Sequence, residues 1–222
     1  MTDRPADLAS GPVSRPLPTP GPSRIAPGDR EHLGLVGWAI TRVSGAVGGT
    51  TPPHLFRTIG RHRKLFRGWL RFASTLMPNG RLPRRETELV ILRVAHLKGC
   101  AYEFDHHVHL GAQAGVTDRD VARVLEGPGA EGWSEREQAI LEGVDQLHRD
   151  GDVDDVTWVA LRKHLDETSM IELVLLVGHY EMLATAINTL RIQPDGPQDT
   201  RASRLGGRLA ARVARRGNAS GG

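Results

Sequence analysis

Residues 84–115 read RRETELVILRVAHLKGCAYEFDHHVHLGAQAG, and this stretch decides the fold. Apolar residues recur at helical spacing over residues 84–98. Gly99 then ends or bends that helix, and a second helical pattern covers residues 100–114. The stretch therefore predicts two consecutive helices, and the second carries the cysteine together with Glu103, Asp105 and three histidines.

The rest of the central region predicts further helices, because strand-like alternation of apolar and polar residues is nearly absent. Two N-terminal capping boxes mark helix starts, a weak one at Thr117 with Asp120 and a better one at Ser134 with Glu137. The predicted class is all-α, a helical bundle. The predicted helices cover residues 33–48, 54–77, 84–98, 100–114, 117–125, 134–149, 154–165 and 168–190, the last opened by Thr168.

A weak internal echo links ELVILRVAH, which starts at Glu88, with ELVLLVGHY, which starts at Glu172. A duplicated helical unit would explain this echo, and chance similarity between two buried helices explains it equally well.

Composition divides the chain into three parts. Residues 1–32 carry seven of the fourteen prolines and predict a disordered Pro-rich arm. Residues 33–193 form the predicted helical domain. Residues 194–222 hold six arginines against two aspartates. We expect this basic tail to be solvated, or alternatively to contact an anionic partner.

The compartment is predicted from what the sequence lacks. The N-terminus has no apolar segment typical of a secretory signal, and no run reaches the ~20 apolar residues that span a bilayer. A single cysteine excludes an intramolecular disulfide. We therefore expect a cytoplasmic protein without a membrane span.

Helical phase at about 100° per residue places Cys100, Glu103 and His107 on one face, while His106 and His109 point elsewhere and are expected to be solvated. Glu103 and His107 are i,i+4 partners that can exchange a proton, or can form a purely structural ion pair.

Glu88 lies in an apolar stretch of the preceding helix and needs a partner if it is buried. A hairpin of the two helices would bring it beside that face.

Metal and cofactor binding are not predicted. Glu103-x-x-His106 has the spacing of a di-iron motif, but the chain has no second copy of it. No flavin, nucleotide or haem motif is visible.

Arg84 to Val121 resembles the core of the carboxymuconolactone decarboxylase family, which includes the alkyl hydroperoxidase D proteins. The family pattern is a glutamate on one helix followed by Cys-x-x-Cys-x-x-x-His on the next. Glu88, Cys100 and His107 match this pattern, and Glu103 occupies the position of the second cysteine.

The resemblance implies an alkyl hydroperoxidase D-like fold and a small-molecule substrate. It also implies a homo-oligomer that buries either the Trp69, Phe72 and Leu76 side of the 54–77 helix or the 168–190 helix against a neighbour.

The missing second cysteine decides between the functions that this resemblance implies. A disulfide relay needs a resolving thiol, which this chain lacks. The first hypothesis is therefore non-redox acid–base chemistry, such as decarboxylation of a small carboxylated or lactone substrate, with Glu103 and His107 moving protons and Glu88 orienting them.

Two alternatives remain open at this point. One is a peroxidase that uses Cys100 with an external thiol, which requires a depressed thiol pKa. The other is a non-catalytic helical interaction protein that recruits a partner through the basic tail.

Overall fold

The computed structural model describes residues 21–48 and 51–196. Within these residues the chain forms nine helices and no strand, so the all-α prediction is confirmed. The helices are α1 (Arg30–Gly48), α2 (His54–Ile59), α3 (Arg63–Leu76), α4 (Arg84–Leu97), α5 (Ala101–Gln113), α6 (Asp118–Glu126), α7 (Glu135–Asp150), α8 (Asp155–Arg162) and α9 (Glu167–Leu190).

Both predicted capping boxes are present. At the start of α6, the Asp120 backbone N–H donates to Thr117 Oγ1 at 3.2 Å, and the Thr117 N–H donates to Asp120 Oδ2 at 2.9 Å. Ser134 and Glu137 make the equivalent pair at the start of α7. These contacts satisfy N–H groups that have no partner inside the helix.

The predicted single helix over residues 54–77 is wrong, because it is divided into α2 and α3. A Cβ atom at Gly60 would lie 2.6 Å from the Phe56 carbonyl oxygen and 2.9 Å from the Leu33 side chain. The break therefore lets α1 pack closely against this corner. α9 also differs, since Asp166 rather than Thr168 caps it by accepting from the Ser169 N–H at 2.8 Å.

Helix α4 lies at the centre of the bundle and contacts α5, α6, α7 and α9. Every residue from Glu86 to Ala95 is buried, which explains why this helix is apolar on all sides except for a few charged residues. Two charged residues of α4 form salt bridges with α7: Glu86, near the start of α4, pairs with Arg136, and Arg93 pairs with Asp145. Because four other helices pack around α4, its side chains are held in fixed positions.

Helix α9 is long and apolar. By length and composition it meets the criteria for a membrane span, with a mean hydropathy of 1.5, yet 56% of the qualifying window is buried inside the fold. One side packs into the core, and the other exposes an α9 stripe consisting of Ile171, Val174, Leu175 and Met182. Burial of this kind is typical of a core helix.

The described ends of the chain pack against the bundle. The Arg24 N–H donates to the Leu190 carbonyl oxygen at 3.0 Å, and the Gly28 N–H donates to the Arg57 carbonyl oxygen at 3.0 Å. The predicted arm therefore includes packed residues, and α1 starts before residue 33. Residues 1–20 and 197–222, which carry most of the predicted arm and tail, lie outside the described part of the chain.

Candidate functional site

A carboxylate–histidine dyad joins α4 to α5. Glu88 is fully buried, His107 is 4% exposed, and Glu88 Oε2 lies 2.7 Å from His107 Nδ1. Because a carboxylate can only accept hydrogen bonds, His107 donates through Nδ1, and Nε2 is the ring nitrogen that is not used by this contact. Arg84 forms a salt bridge with the second oxygen, Glu88 Oε1, without hydrogen-bond geometry. The predicted hairpin thus brings Glu88 to His107 and orients the imidazole.

The predicted pairing of Glu103 with His107 is wrong. Glu103 is 2% exposed, and both of its carboxyl oxygens are buried without a hydrogen-bond partner. Burial raises the pKa of Glu103 well above its usual value, so the neutral acid is favoured. His107 pairs across the helices with Glu88 because Arg84 supports that carboxylate, whereas nothing in the described surroundings solvates a charge on Glu103.

Cys100 precedes α5 as its N-cap residue and is fully buried. Burial, assisted by the nearby Glu103 carboxyl, raises the pKa of the Cys100 thiol to about 12 and outweighs the opposing hydrogen bond from the Glu103 backbone N–H. A helix N-terminus would by itself favour the thiolate, but desolvation is the larger effect here. The site therefore holds a protonated thiol at neutral pH.

His107 lines a cavity of about 260 Å³ between α2, α3, α5 and α9. We call it the ring cavity, because nearly half of its lining residues carry aromatic rings. Its lining consists of Ser44, Pro53, Leu55, Phe56, Trp69, Leu70, Ala73, Ser74, Met77, Tyr102, His106, His107, His179, Tyr180 and Leu183. Neither Cys100 nor Glu103 belongs to this lining among the described residues, so their catalytic roles stay predictions.

His106 is not solvated as predicted. It is half-buried and stacks on Tyr102 with ring centroids 6.5 Å apart and an interplanar angle of 11°. Burial lowers the pKa of His106 to about 4, with the neighbouring His107 as a second cause. His109 is exposed, as predicted, and its ring Nδ1 lies 2.8 Å from the Asp105 carbonyl oxygen.

Two cavity residues on α9 were not identified as site residues from the sequence. His179 is 5% exposed, stacks on Trp69 at a centroid distance of 6.2 Å, and has its pKa lowered to about 4 by burial. Tyr180 meets the ring of His107 edge-on at 5.3 Å. Both belong to the ELVLLVGHY echo, which was the only signal in the sequence that drew attention to them.

The segment after α9 bonds to the cavity residue Tyr102 and to the start of α2. The Tyr102 hydroxyl donates to Asp195 Oδ2 at 2.7 Å, and the His54 backbone N–H donates to Asp195 Oδ1 at 2.7 Å. Asp195 thereby holds the start of α2 against α5 and fixes the ring of Tyr102. This residue was assigned to the tail from composition, but its side chain is part of the folded domain.

The described part of the chain contains no candidate metal site. No group of three or more His, Cys, Asp and Glu side chains there has positions suited to a metal ion. The predicted absence of a metal at Glu103 and His106 stays a prediction.

Comparison with known proteins identifies the fold. Residues 63–146 match the sequence model of the carboxymuconolactone decarboxylase family. A search of curated proteins gives no significant match.

Similar solved structures share this fold at low sequence identity. They include the debrominase Bmp8 (TM-score 0.67, 16% identity, covering 82% of this chain and 95% of that chain). An alkylhydroperoxidase AhpD core, an uncharacterized peroxidase-related protein from Ralstonia eutropha JMP134, has a TM-score of 0.67 and 18% identity, covering 78% of this chain and 92% of that chain. A peroxidase-related protein from Silicibacter sp. TM1040 has a TM-score of 0.67 and 13% identity, covering 85% of this chain and 94% of that chain.

The matched region contains Glu88, Cys100, Glu103 and His107, the residues that carry the resemblance described above. Residues 63–146 therefore match the carboxymuconolactone decarboxylase family, and the helical domain has an alkyl hydroperoxidase D-like fold.

Proposed function

We propose that this protein is a non-redox acid–base enzyme that moves a proton to or from a carbon atom of a small lactone or carboxylated lactone. The observation that carries this proposal is the 2.7 Å contact between Glu88 and the Nδ1 atom of His107, a residue that also lines the ring cavity. The contact leaves Nε2 as the ring nitrogen available to a ligand.

The dyad can serve in either direction of proton transfer. Neutral His107 accepts a proton from carbon at Nε2, and Glu88 stabilises the imidazolium that forms. In a decarboxylation, His107 first takes up a proton from solvent at Nε2. CO₂ leaves, the electrons of the broken C–C bond remain on the substrate as an enolate, and the imidazolium transfers its proton to the enolate carbon and returns to the neutral ring. Glu88 is a positioning residue in this scheme, because its carboxylate holds the ring in one tautomer and orientation.

The alternative peroxidase activity of Cys100 has weaker support. A thiol whose pKa is raised to about 12 presents very little thiolate at neutral pH, and the thiolate is the nucleophile that attacks peroxide. The structural neighbours include peroxidase-related proteins and a debrominase, but at 13–18% identity they support the shared fold alone. Acid–base chemistry uses groups that are already paired and oriented.

Deuterium incorporation tests the proposal with simple model compounds in place of the natural substrate. Unsaturated γ-lactones, with and without a carboxylate, are incubated with the protein in D₂O and followed by NMR. We expect exchange or decarboxylation with the wild type, and a loss of about 100-fold or more in His107→Ala, the range for one general acid–base group. Glu88→Gln should lower the rate less, since the imidazole remains.

His109→Ala is the matched control, because His109 is an exposed histidine on the same helix. It should keep the wild-type rate. Wild-type rates in His107→Ala, or equal losses in both histidine variants, would contradict the proposal.

We further propose that the protein works in the cytoplasm as a homo-oligomer. The α9 stripe supports self-association, because Ile171, Val174, Leu175 and Met182 are between 42% and 62% exposed on one helix. For the basic tail, residues 194–222, we keep the proposal that it contacts an anionic partner.

A further inference from the structure

The lining of the ring cavity carries no Lys, Arg, Asp or Glu residue among the described residues. Its titratable groups are three histidines and two tyrosines. Burial lowers the pKa values of His106 and His179 to about 4 and raises those of Tyr102 and Tyr180, so all four are uncharged near neutral pH. The cavity wall is therefore polar in places but almost free of charge.

A carboxylate entering this cavity would lose hydration without gaining a fixed cation. A positive charge on His107 is already paired, because Glu88 lies 2.7 Å from its ring nitrogen. Arg84 contacts the other oxygen of Glu88 and does not belong to the cavity lining. The electrostatics of the site thus favour a neutral ligand.

The aromatic lining of the cavity favours a ligand that carries a ring. Two ring pairs form parts of the wall: His106 on Tyr102 with an interplanar angle of 11°, and His179 on Trp69 with an angle of 15°. The volume of about 260 Å³ lies just below the range of roughly 300–1,000 Å³ usual for drug-sized ligands. Each neutral imidazole also offers one donor and one acceptor to a polar ring substituent.

We propose that the ring cavity binds uncharged ring compounds, and that His106 and His179 determine this specificity. The inference rests on the proposed function for what happens after binding. It narrows that function to a proton shift on a neutral lactone, rather than loss of CO₂ from a free carboxylate.

Calorimetric titration with a matched pair of probes tests the inference. Coumarin is a closed, neutral lactone, and 2-hydroxycinnamate carries the same carbon skeleton opened to a carboxylate. We expect coumarin to bind roughly 100-fold or more tightly than the carboxylate, because the latter must be desolvated without a cation. Equal affinities, or no binding of coumarin, would overturn the inference.

A charge introduced into the wall should change this preference. Ser74 lines the cavity, whereas its neighbour Thr75 is exposed; both hydroxyls donate to a carbonyl oxygen three residues earlier in α3. Ser74→Lys should reduce the preference for coumarin at least about tenfold, and Thr75→Lys should leave it unchanged. The same preference in both variants would overturn the inference.

His179→Phe keeps a ring against Trp69 and provides a test if the lysine variant does not fold. It should weaken coumarin binding about tenfold, the scale of one lost hydrogen bond in a buried site, while coumarin still binds more tightly than the carboxylate. Unchanged coumarin affinity would remove His179 from the specificity residues.

His107→Ala separates the two proposals. It should still bind coumarin, so failure of the coumarin preference overturns only this inference, whereas proton transfer that persists in His107→Ala overturns only the proposed function.

Discussion

Replacement of Glu103 by leucine should stabilise the protein at neutral pH. The Glu103 side chain is buried, and neither carboxyl oxygen has a hydrogen-bond partner. An unsatisfied buried polar group costs about 1–3 kcal/mol, which the leucine side chain avoids. A further gain comes from the protonation equilibrium of the carboxyl group.

The sign of this second effect follows from the direction of the pKa shift. Burial raises the pKa of Glu103 in the folded protein above 4.5, its ordinary value, so the folded state binds more protons than the unfolded state above that pH. The stabilising contribution of the neutral acid is complete below about pH 4.5 and is lost as the pH rises towards the folded pKa. The limiting slope is about 1.4 kcal/mol per pH unit.

Urea unfolding at a series of pH values measures the effect. His106 and His179 contribute the opposite slope, since their lowered pKa values make the folded state bind fewer protons between about 4 and 6.5. The difference between the wild-type and Glu103→Leu curves isolates Glu103, and we expect it to grow with pH. Asp105→Asn, an exposed carboxylate on the same helix, is the control. Parallel wild-type and Glu103→Leu curves would refute the reasoning.

Three further predictions concern other parts of the molecule. Hydrogen bonding to Arg85 holds the pKa of Asp120 well below its usual value, so Asp120→Asn should cost about 2 kcal/mol at pH 7 in urea unfolding. That difference should shrink as the pH falls below about 3.8, and a pH-independent difference would contradict it. Cys100 should resist iodoacetamide at pH 7 in the native protein and react after unfolding, as measured by mass spectrometry; rapid native labelling would revive the peroxidase alternative. Leu175→Glu should reduce the mass measured by light scattering to that of a monomer, whereas Val156→Glu, exposed on α8, should not. A monomeric wild type would contradict the proposed homo-oligomer.

Local signals in the sequence predicted most of the fold. The starts of α6 and α7 follow from capping boxes, which depend on residues three positions apart and need no tertiary information. The division between α2 and α3 depends on contacts of Gly60 with the distant Leu33, so helical periodicity could not show it. Predictions succeeded where the cause lies within one turn of helix and failed where a distant element intervenes.

The same distinction explains the candidate site. Helical phase correctly placed Glu103 and His107 on the buried face of α5. It predicts which side of a helix is buried, but it does not predict which residue of another helix forms a hydrogen bond there. The partner of His107 lies 19 residues earlier on another helix. His179 contributes to the cavity from α9, and its stacking on Trp69 joins residues far apart in the chain, so no local pattern could assign it.

The glutamate at position 103 affects both possible chemistries of the site. It occupies the place of the second cysteine, so a disulfide with Cys100 cannot form within the chain. It also adds to the burial that raises the pKa of Cys100 to about 12, so the remaining thiol is a poor nucleophile. The dyad of Glu88 and His107 depends on neither residue, because it is built across two helices and supported by Arg84. Glu103 therefore takes the place of a resolving thiol and adds to the effect of burial on the remaining one, while the proposed proton-transfer dyad keeps its geometry.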